Sequence, residues 1–467
     1  MSFPSLRIES TQLSAQGSFA ESQASFLSPD SALIEELDDL LKQHNVGVVA
    51  HFYMDAELQG VLSACSHPHI FVADSLLMSD HAVTMAEAGV SSIVVLGVDF
   101  MSENVRAVLD AAGHETVPVY RVDEREIGCS LAEAAQSRMY QAWLQKCSEL
   151  ENALHVVYIN TSLRSKAIAH QFLPTITCTS SNVLQTMLQV SAEKPETQIC
   201  YGPDTYMGQN LEVMLKQIAQ LEDAEISAVH PSHTRKSIRR LLSQYRYYKH
   251  GNCVVHHMFG GSVVDKVATE YAHAYHTAHL EVPGEMFELA VTAQNAGRGV
   301  VGSTSNILQF ILGKVDESTQ TSDPTVIPVV LGTEAGMVTA IVRKVQEKLQ
   351  QANRSDIAVE IIFPVAADAV AQDDDFGIIP GVAGGEGCST AGGCATCPFM
   401  KMNTLDALMN VVSKTGNLEI LQNFEPEKYA EKLGGRTVAE VGGEPILFMR
   451  HFQRHGKMSD RLLSLIG

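Results

Sequence analysis

The chain has 467 residues, too many for one ordinary hydrophobic core, and its 45% apolar content supports several packed domains. A formal charge of −21 argues against nucleic acid as a main partner, and no run of about 18 uncharged apolar residues is present to span a membrane. Nine cysteines point to a reducing compartment, where thiols serve metals or catalysis more often than disulfides.

The first thirty residues, rich in Ser, Gln and Ala, have no apolar stretch behind a basic start and read as a disordered leader, not a signal peptide. Short apolar runs follow: 48–50 leads into His51, 70–73 into Asp74 and Ser75, and 93–96 to Asp99. Met101, Val105, Val108 and Leu109 then share one helical face, and Gly113 supplies a stop. The pattern returns where 156–159 runs into Asn160, 176–178 into Thr179, Ser180 and Ser181, and 199–201 to Asp204. It returns again with His279-Leu280-Glu281, then Val300-Val301 before Ser303 and Thr304, then 329–331 before Thr333 and Glu334. The steps are 24 and 24 residues, 20 and 24, and 24 and 30, each the length of one strand plus one helix. Each third therefore reads as a βαβαβ unit of a parallel sheet. Apolar stripes at 211–221 and 337–349 are core-facing helices, and the basic stretch 235–249 reads as a solvated amphipathic helix, not an RNA patch. Loops are expected at 316–324 and 373–387, and the tail should hold a helix at 403–412 and a mixed helical stretch at 449–466.

Ligands of open α/β sheets bind beyond the carboxyl ends of the strands, where these polar residues fall. Cys129, Cys253 and Cys397 close the three units at separations of 124 and 144, which suggests one shared site. Cys397 also ends a C-x5-C-x2-C cluster with Cys388 and Cys394. Spacing leaves three uses open: a [4Fe–4S] cluster with one open iron, a zinc site, or plain buried thiols. Cys65, Cys147, Cys178 and Cys200 read as packing residues. Ser75, Ser102, Ser181 and Ser303 are helix N-caps by default; the alternative is that these helix starts bind carboxylate or phosphate. His51-Phe52-Tyr53 and His279-Leu280-Glu281 end the first strand of two repeats. Alternation puts His with Tyr, or His with Glu, on one side, a pairing suited to proton transfer. Gly384-Gly385-Glu386-Gly387 is a weak nucleotide signal without the strand and helix such a fingerprint needs.

The chain resembles the quinolinate synthase family over residues 46–405. The resemblance rests on Ala50-His51-Phe52-Tyr53, Asp74-Ser75-Leu76, Gly97-Val98-Asp99-Phe100-Met101-Ser102-Glu103 and Gly128-Cys129-Ser130. It continues through Tyr158-Ile159-Asn160, Thr179-Ser180-Ser181-Asn182, Gly202-Pro203-Asp204 and Asn252-Cys253-Val254-Val255-His256. It ends with Gly302-Ser303-Thr304, Gly332-Thr333-Glu334-Ala335-Gly336-Met337 and Cys397-Pro398-Phe399-Met400-Lys401-Met402-Asn403. The segments 281–286 and 380–388 are similar to the plant-type branch, which commonly carries an extra sulfur-transfer domain.

The resemblance implies an α/β fold of three similar three-layer αβα domains, with parallel sheets around a pseudo-threefold axis and the active site at their junction. The domains would be 31–130 with 398–467, then 131–254, then 255–397. It implies a [4Fe–4S] cluster on Cys129, Cys253 and Cys397, with the open iron as a Lewis acid. It also implies condensation of iminosuccinate with dihydroxyacetone phosphate to quinolinate for NAD synthesis, with loss of phosphate and water. His51, Ser75, Tyr158, Asn160, Ser180, His279, Glu281, Ser303 and Thr304 match the substrate site, and Tyr53 and Glu281 the proton-shuffling pair, with His51 and His279 beside them. L-aspartate oxidase or dehydrogenase would supply the imine, and iron–sulfur assembly proteins the cluster. The expected compartment is cytoplasmic, or plastid for a processed plant or algal form. Where many members have His-Pro-Glu, this chain has His279-Leu280-Glu281; His230-Pro231 imitates that motif but lacks its acid. The rival readings are an iron–sulfur hydro-lyase for a small carboxylate and a non-catalytic metal-holding scaffold.

Overall fold

Fourteen strands carry the architecture of the computed structural model, which describes residues 2–24, 29–253, 256–259, 261–365, 397 and 399–467. In chain order the first six are β1 (Ser5–Ile8), β2 (Leu13–Gln16), β3 (Val46–His51), β4 (Ile70–Ala73), β5 (Ser92–Leu96) and β6 (Val119–Tyr120). The next four are β7 (Ala153–Tyr158), β8 (Thr175–Cys178), β9 (Gln198–Gly202) and β10 (Tyr245–Tyr247). The last four are β11 (Tyr275–His279), β12 (Gly299–Gly302), β13 (Thr325–Gly332) and β14 (Ile357–Ile362). All nine strands expected from the apolar runs are present. β3 and β7 are buried along their whole length, as strands covered by helices on both faces must be.

The three sheets share one order. It is β4-β3-β5-β6 in the first, β8-β7-β9-β10 in the second and β12-β11-β13-β14 in the third, which β1 and β2 extend to six strands. In each, the first strand of the repeat sits between the second and third and pairs parallel with both. A 2-1-3-4 order reverses direction beside its first strand, and a crevice opens there at the carboxyl ends. Those central strands end at His51, Tyr158 and His279, all three expected at the site.

Several expectations need correction. Residues 5–16 do not form a disordered leader: β1 runs antiparallel to β14, and Leu6 and Ile8 are fully buried. Arg7 points outward between them, a period-2 pattern too short to stand out in a Ser-rich segment. Each sheet also gains a fourth strand, β6, β10 or β14, of which none was expected. β10 cuts the basic stretch, so the helix there stops at Gln244. The 316–324 loop shortens, because the helix Thr304–Thr319 runs through Asp316.

The chain divides into two compact units: residues 1–98, 120–127 and 254–424 form the first, and 99–119, 128–253 and 425–467 the second. The first holds the β4-β3-β5 and β12-β11-β13-β14 sheets, the second the β8-β7-β9-β10 sheet. The expected first domain is thus divided, since 399–424 stay in the first unit whereas 99–119 and the tail from 425 belong to the second. The tail helix Val438–His455 packs on Leu163–Phe172 and on β8, in the second unit. Two features that argue against a helix there, Gly442-Gly443 and Pro445, are absorbed by that packing. A Cβ on Gly442 would sit 2.1 Å from the Leu163 carbonyl oxygen. Gly442→Ala should therefore destabilise by about 2 kcal/mol, the clash outweighing the gain in helix propensity. A raised urea midpoint would contradict this.

The second unit also buries His155, whose Nε2 lies 2.8 Å from the Tyr140 hydroxyl. Burial holds its imidazole down at about 3. Between that value and the unfolded pKa, only the unfolded chain binds the proton, so stability falls as pH drops through this window. At pH 5 the cost is about 2 kcal/mol. His155→Gln should lose correspondingly less stability than the native chain between pH 7 and 5; parallel losses in urea melts would refute the argument.

Candidate active site

In the first unit, one local bond sets the histidines of both repeated triplets. The Tyr53 N–H donates to His51 Nδ1 at 3.2 Å, and the Glu281 N–H donates to His279 Nδ1 at 3.3 Å. A nitrogen that accepts must carry a lone pair, so the bond from Tyr53 assigns the His51 ring the Nε2–H tautomer. The sequence repeat is thus a repeat of local geometry. Glu281 Oε2 lies 3.2 Å from His279 Nδ1 and 3.3 Å from His256 Nδ1. The His256 and His279 rings stack at 5.1 Å between centroids, 20° apart. Oxygen and nitrogen lone pairs this close repel unless a proton or a cation lies between them.

All three side chains are buried, and the His256 Nε2 meets no hydrogen-bond partner among the described residues. Burial holds His51 and His256 down at about 4, against the opposing pull of the Glu281 charge, so both are neutral near pH 7. The donor atoms of His256, His279 and Glu281 lie within 4.8 Å of one another. Two imidazoles and a carboxylate at that spacing can share a proton or hold one divalent ion.

Tyr53 follows directly from the β3 end. Its ring lies 4.7 Å from that of His51, and its turn is tied down by the buried Gln59. The Gln59 side-chain amide donates to the carbonyls of Phe52, Met54 and Gly336 at 2.9, 2.8 and 3.0 Å. Gly336 is required there, since a Cβ would fall 2.8 Å from Tyr53 Cα. Glu334, two residues earlier, is fully enclosed and accepts the Cys397 N–H at 2.7 Å through Oε1. Burial pushes its carboxyl well above the usual range, and the Cys397 N–H only partly offsets this.

The strand-end hydroxyls divide. Ser303 is a cap, accepting the Asn306 N–H at 3.3 Å and donating to Asn306 Oδ1 at 2.8 Å, and Thr304 opens that helix. Ser75 is not: Asp74 caps its helix, accepting from Leu76 and Leu77. Ser102 lies inside its helix, and Asn182, not Ser181, holds the cap position of the next.

In the second unit, Tyr158 is buried at the end of β7, with Asn160 and Ser180 half-buried just beyond β7 and β8. Cys129 is the N-cap residue of the helix Ser130–Gln136. Ser130 Oγ donates to the Asn252 carbonyl at 3.2 Å, which brings the residues beside Cys129 and Cys253 into contact. Cys129, Cys253 and Cys397 are half-buried and in no disulfide. Cys178 is enclosed and Cys65 is pushed up to about 11 by burial, as packing thiols are. His230 is structural, its Nε2 2.9 Å from Gln189 Oε1. Cys388, Cys394 and the 384–387 glycines lie outside the described residues.

The site residues therefore fall in two groups. His51, Tyr53, Ser75, His279, Glu281, Ser303, Thr304 and Cys397 belong to the first unit, and Cys129, Tyr158, Asn160, Ser180 and Cys253 to the second. His256 and Glu334 were given no role by sequence reasoning. The only signal for them was membership of the quoted motifs around Cys253 and Gly332.

A family model described as quinolinate synthetase A protein matches residues 35–433. The chain is 50% identical to a chloroplastic quinolinate synthase of Nicotiana tabacum, over 99% of this chain and 66% of that protein. It is 49% identical to the chloroplastic quinolinate synthase of Arabidopsis thaliana over the same shares, and 25% identical to the quinolinate synthase of Ehrlichia chaffeensis over 86% of this chain and 95% of that one. The chain spans about two thirds of the length of the plant relatives it matches. With the family model covering most of its length and half its residues shared with the tobacco protein, the chain belongs to the quinolinate synthetase A family.

Proposed function

We propose that this chain is a quinolinate synthase, condensing iminosuccinate with dihydroxyacetone phosphate to quinolinate with loss of phosphate and water. The observation that carries this reading is the buried Glu281 carboxylate set between two imidazoles, at the end of a central strand, in a chain of this family. Closing a pyridine ring requires repeated removal and return of protons on carbon and oxygen. Glu281 accepts a proton, and the imidazoles of His256 and His279 beside it keep that proton within reach. Tyr53, held by Gln59, presents a phenol for the matching donation. The Ser75, Asn160 and Ser180 side chains and the helix start at Thr304 suit carboxylate and phosphate, since hydroxyls, amides and backbone N–H groups bind anions in an acidic chain.

The donor set fits an iron–sulfur cluster: three half-buried thiols, whereas Cys147, Cys178 and Cys200 are enclosed and the half-buried Cys65 is pushed up to about 11. Cys129, Cys253 and Cys397 would hold it. When bound, such a cluster supplies a Lewis-acidic iron. The supply of imine by an aspartate-oxidising enzyme, and of the cluster by an assembly system, follow from the same reading. The plant relatives are named chloroplastic, so a plastid, not the cytoplasm, is the compartment we propose. No helix among the described residues is long and apolar enough to cross a membrane.

The test is protein purified without oxygen. It should contain about four irons and four sulfides per chain and make quinolinate only when dihydroxyacetone phosphate is added. Colourless, zinc-loaded protein, or turnover of a carboxylate without the triose phosphate, would overturn the reading.

A further inference from the structure

The basic stretch that the synthase reading leaves unused does not simply face solvent. Its end, with β10, lines a hollow of about 670 Å³ in the second unit, opposite the helix Arg138–Ser148. Its aromatic lining includes the half-buried Trp143 and Tyr247 and the buried Tyr245 and Tyr248. Trp143 is held from behind by the buried Tyr140, centroids 5.5 Å apart at 27°, and meets Tyr248 at 5.6 Å and 58°. Trp143 is thus set by the core, with Tyr248 buried beside it, and needs no rearrangement to receive a flat partner.

The charge at the rim is one-sided. Lys146, Arg246 and Lys249 line the hollow against one acid, Glu212, which is already paired with Lys216 at 2.9 Å. Among the described residues, Lys146 and Lys249 have no carboxylate partner. Arg246 bonds only neutral oxygens, at Gln198 and Gln244. Lys249 Nζ stands 5.7 Å from the centre of the Tyr247 ring, so cation and ring face are presented together. Three uncompensated cations beside preset aromatic faces, in a chain of charge −21, are a local exception that calls for an anion.

We infer that this hollow binds a nucleoside phosphate, its base on the half-buried Trp143 and Tyr247 rings and its phosphate on Lys146, Arg246 and Lys249. A single six-membered ring with carboxylates would leave most of the volume to water, whereas a base, sugar and phosphate occupy it. This site is separate from the Glu281 group and does not depend on the synthase reading.

Trp143 is the only tryptophan of the chain, so its fluorescence reports on this hollow alone. Titration of the whole protein with AMP should give a saturable change in emission, weakened by salt. Adenosine and inorganic phosphate should each bind at least about tenfold more weakly, since each makes half the contacts. The double variant Lys146→Glu/Lys249→Glu, both exposed and away from the core, should weaken AMP at least about tenfold while its rate of quinolinate formation stays unchanged. No saturable change at millimolar AMP, an equal response in the double variant, or much tighter binding of an RNA oligomer than of AMP would each overturn the proposal.

Discussion

Glu281→Gln should lower turnover by about 10²-fold or more while leaving the iron content of the protein unchanged. The substitution keeps the shape of the side chain and removes only its capacity to take a proton. In the native protein Oε2 lies 3.2 Å from His279 Nδ1 and 3.3 Å from His256 Nδ1, inside a buried pocket. An amide there faces imidazole nitrogens with no exchangeable acid between them. Steady-state quinolinate formation, measured beside iron analysis, checks this. Near-normal turnover would remove Glu281 from the proton path, and a parallel loss of iron would recast it as a structural residue.

Cys253→Ser should release the cluster, and with it both iron and sulfide. Serine is close to cysteine in size, and the backbone at Asn252 remains tied to Ser130 at 3.2 Å, so the fold has no reason to change. What changes is the donor: a hydroxyl does not give up its proton to iron as a thiol does. Cys65→Ser serves as the control, because burial pushes that thiol up to about 11 and marks it as a packing residue. Full iron content in the Cys253 variant, or equal loss in the Cys65 variant, would dismiss the assignment.

Nine strands, their polar ends and the His-x-Tyr and His-x-Glu triplets were legible in the amino-acid order, because each is local. An apolar run of four to six residues between turn signals forms a strand wherever it is packed, and a histidine two residues before an N–H can accept it without help. The family motifs were legible for the same reason. The shared 2-1-3-4 order, the antiparallel addition of β1 to β14 and the tail's place on the second unit were not. Strand pairing and helix docking depend on partners hundreds of residues away, and Gly442-Gly443 and Pro445 oppose a helix until Leu163 is against it. The same holds within the site. The contact of His256 with Glu281 crosses 25 residues, and that of Glu334 with Cys397 crosses 63, and neither distance repeats any helix or strand period. Sequence alone determined which residues stand at strand ends. Only folding decided which of them meet in one buried cluster, because that depends on burial and on separations of a few ångströms.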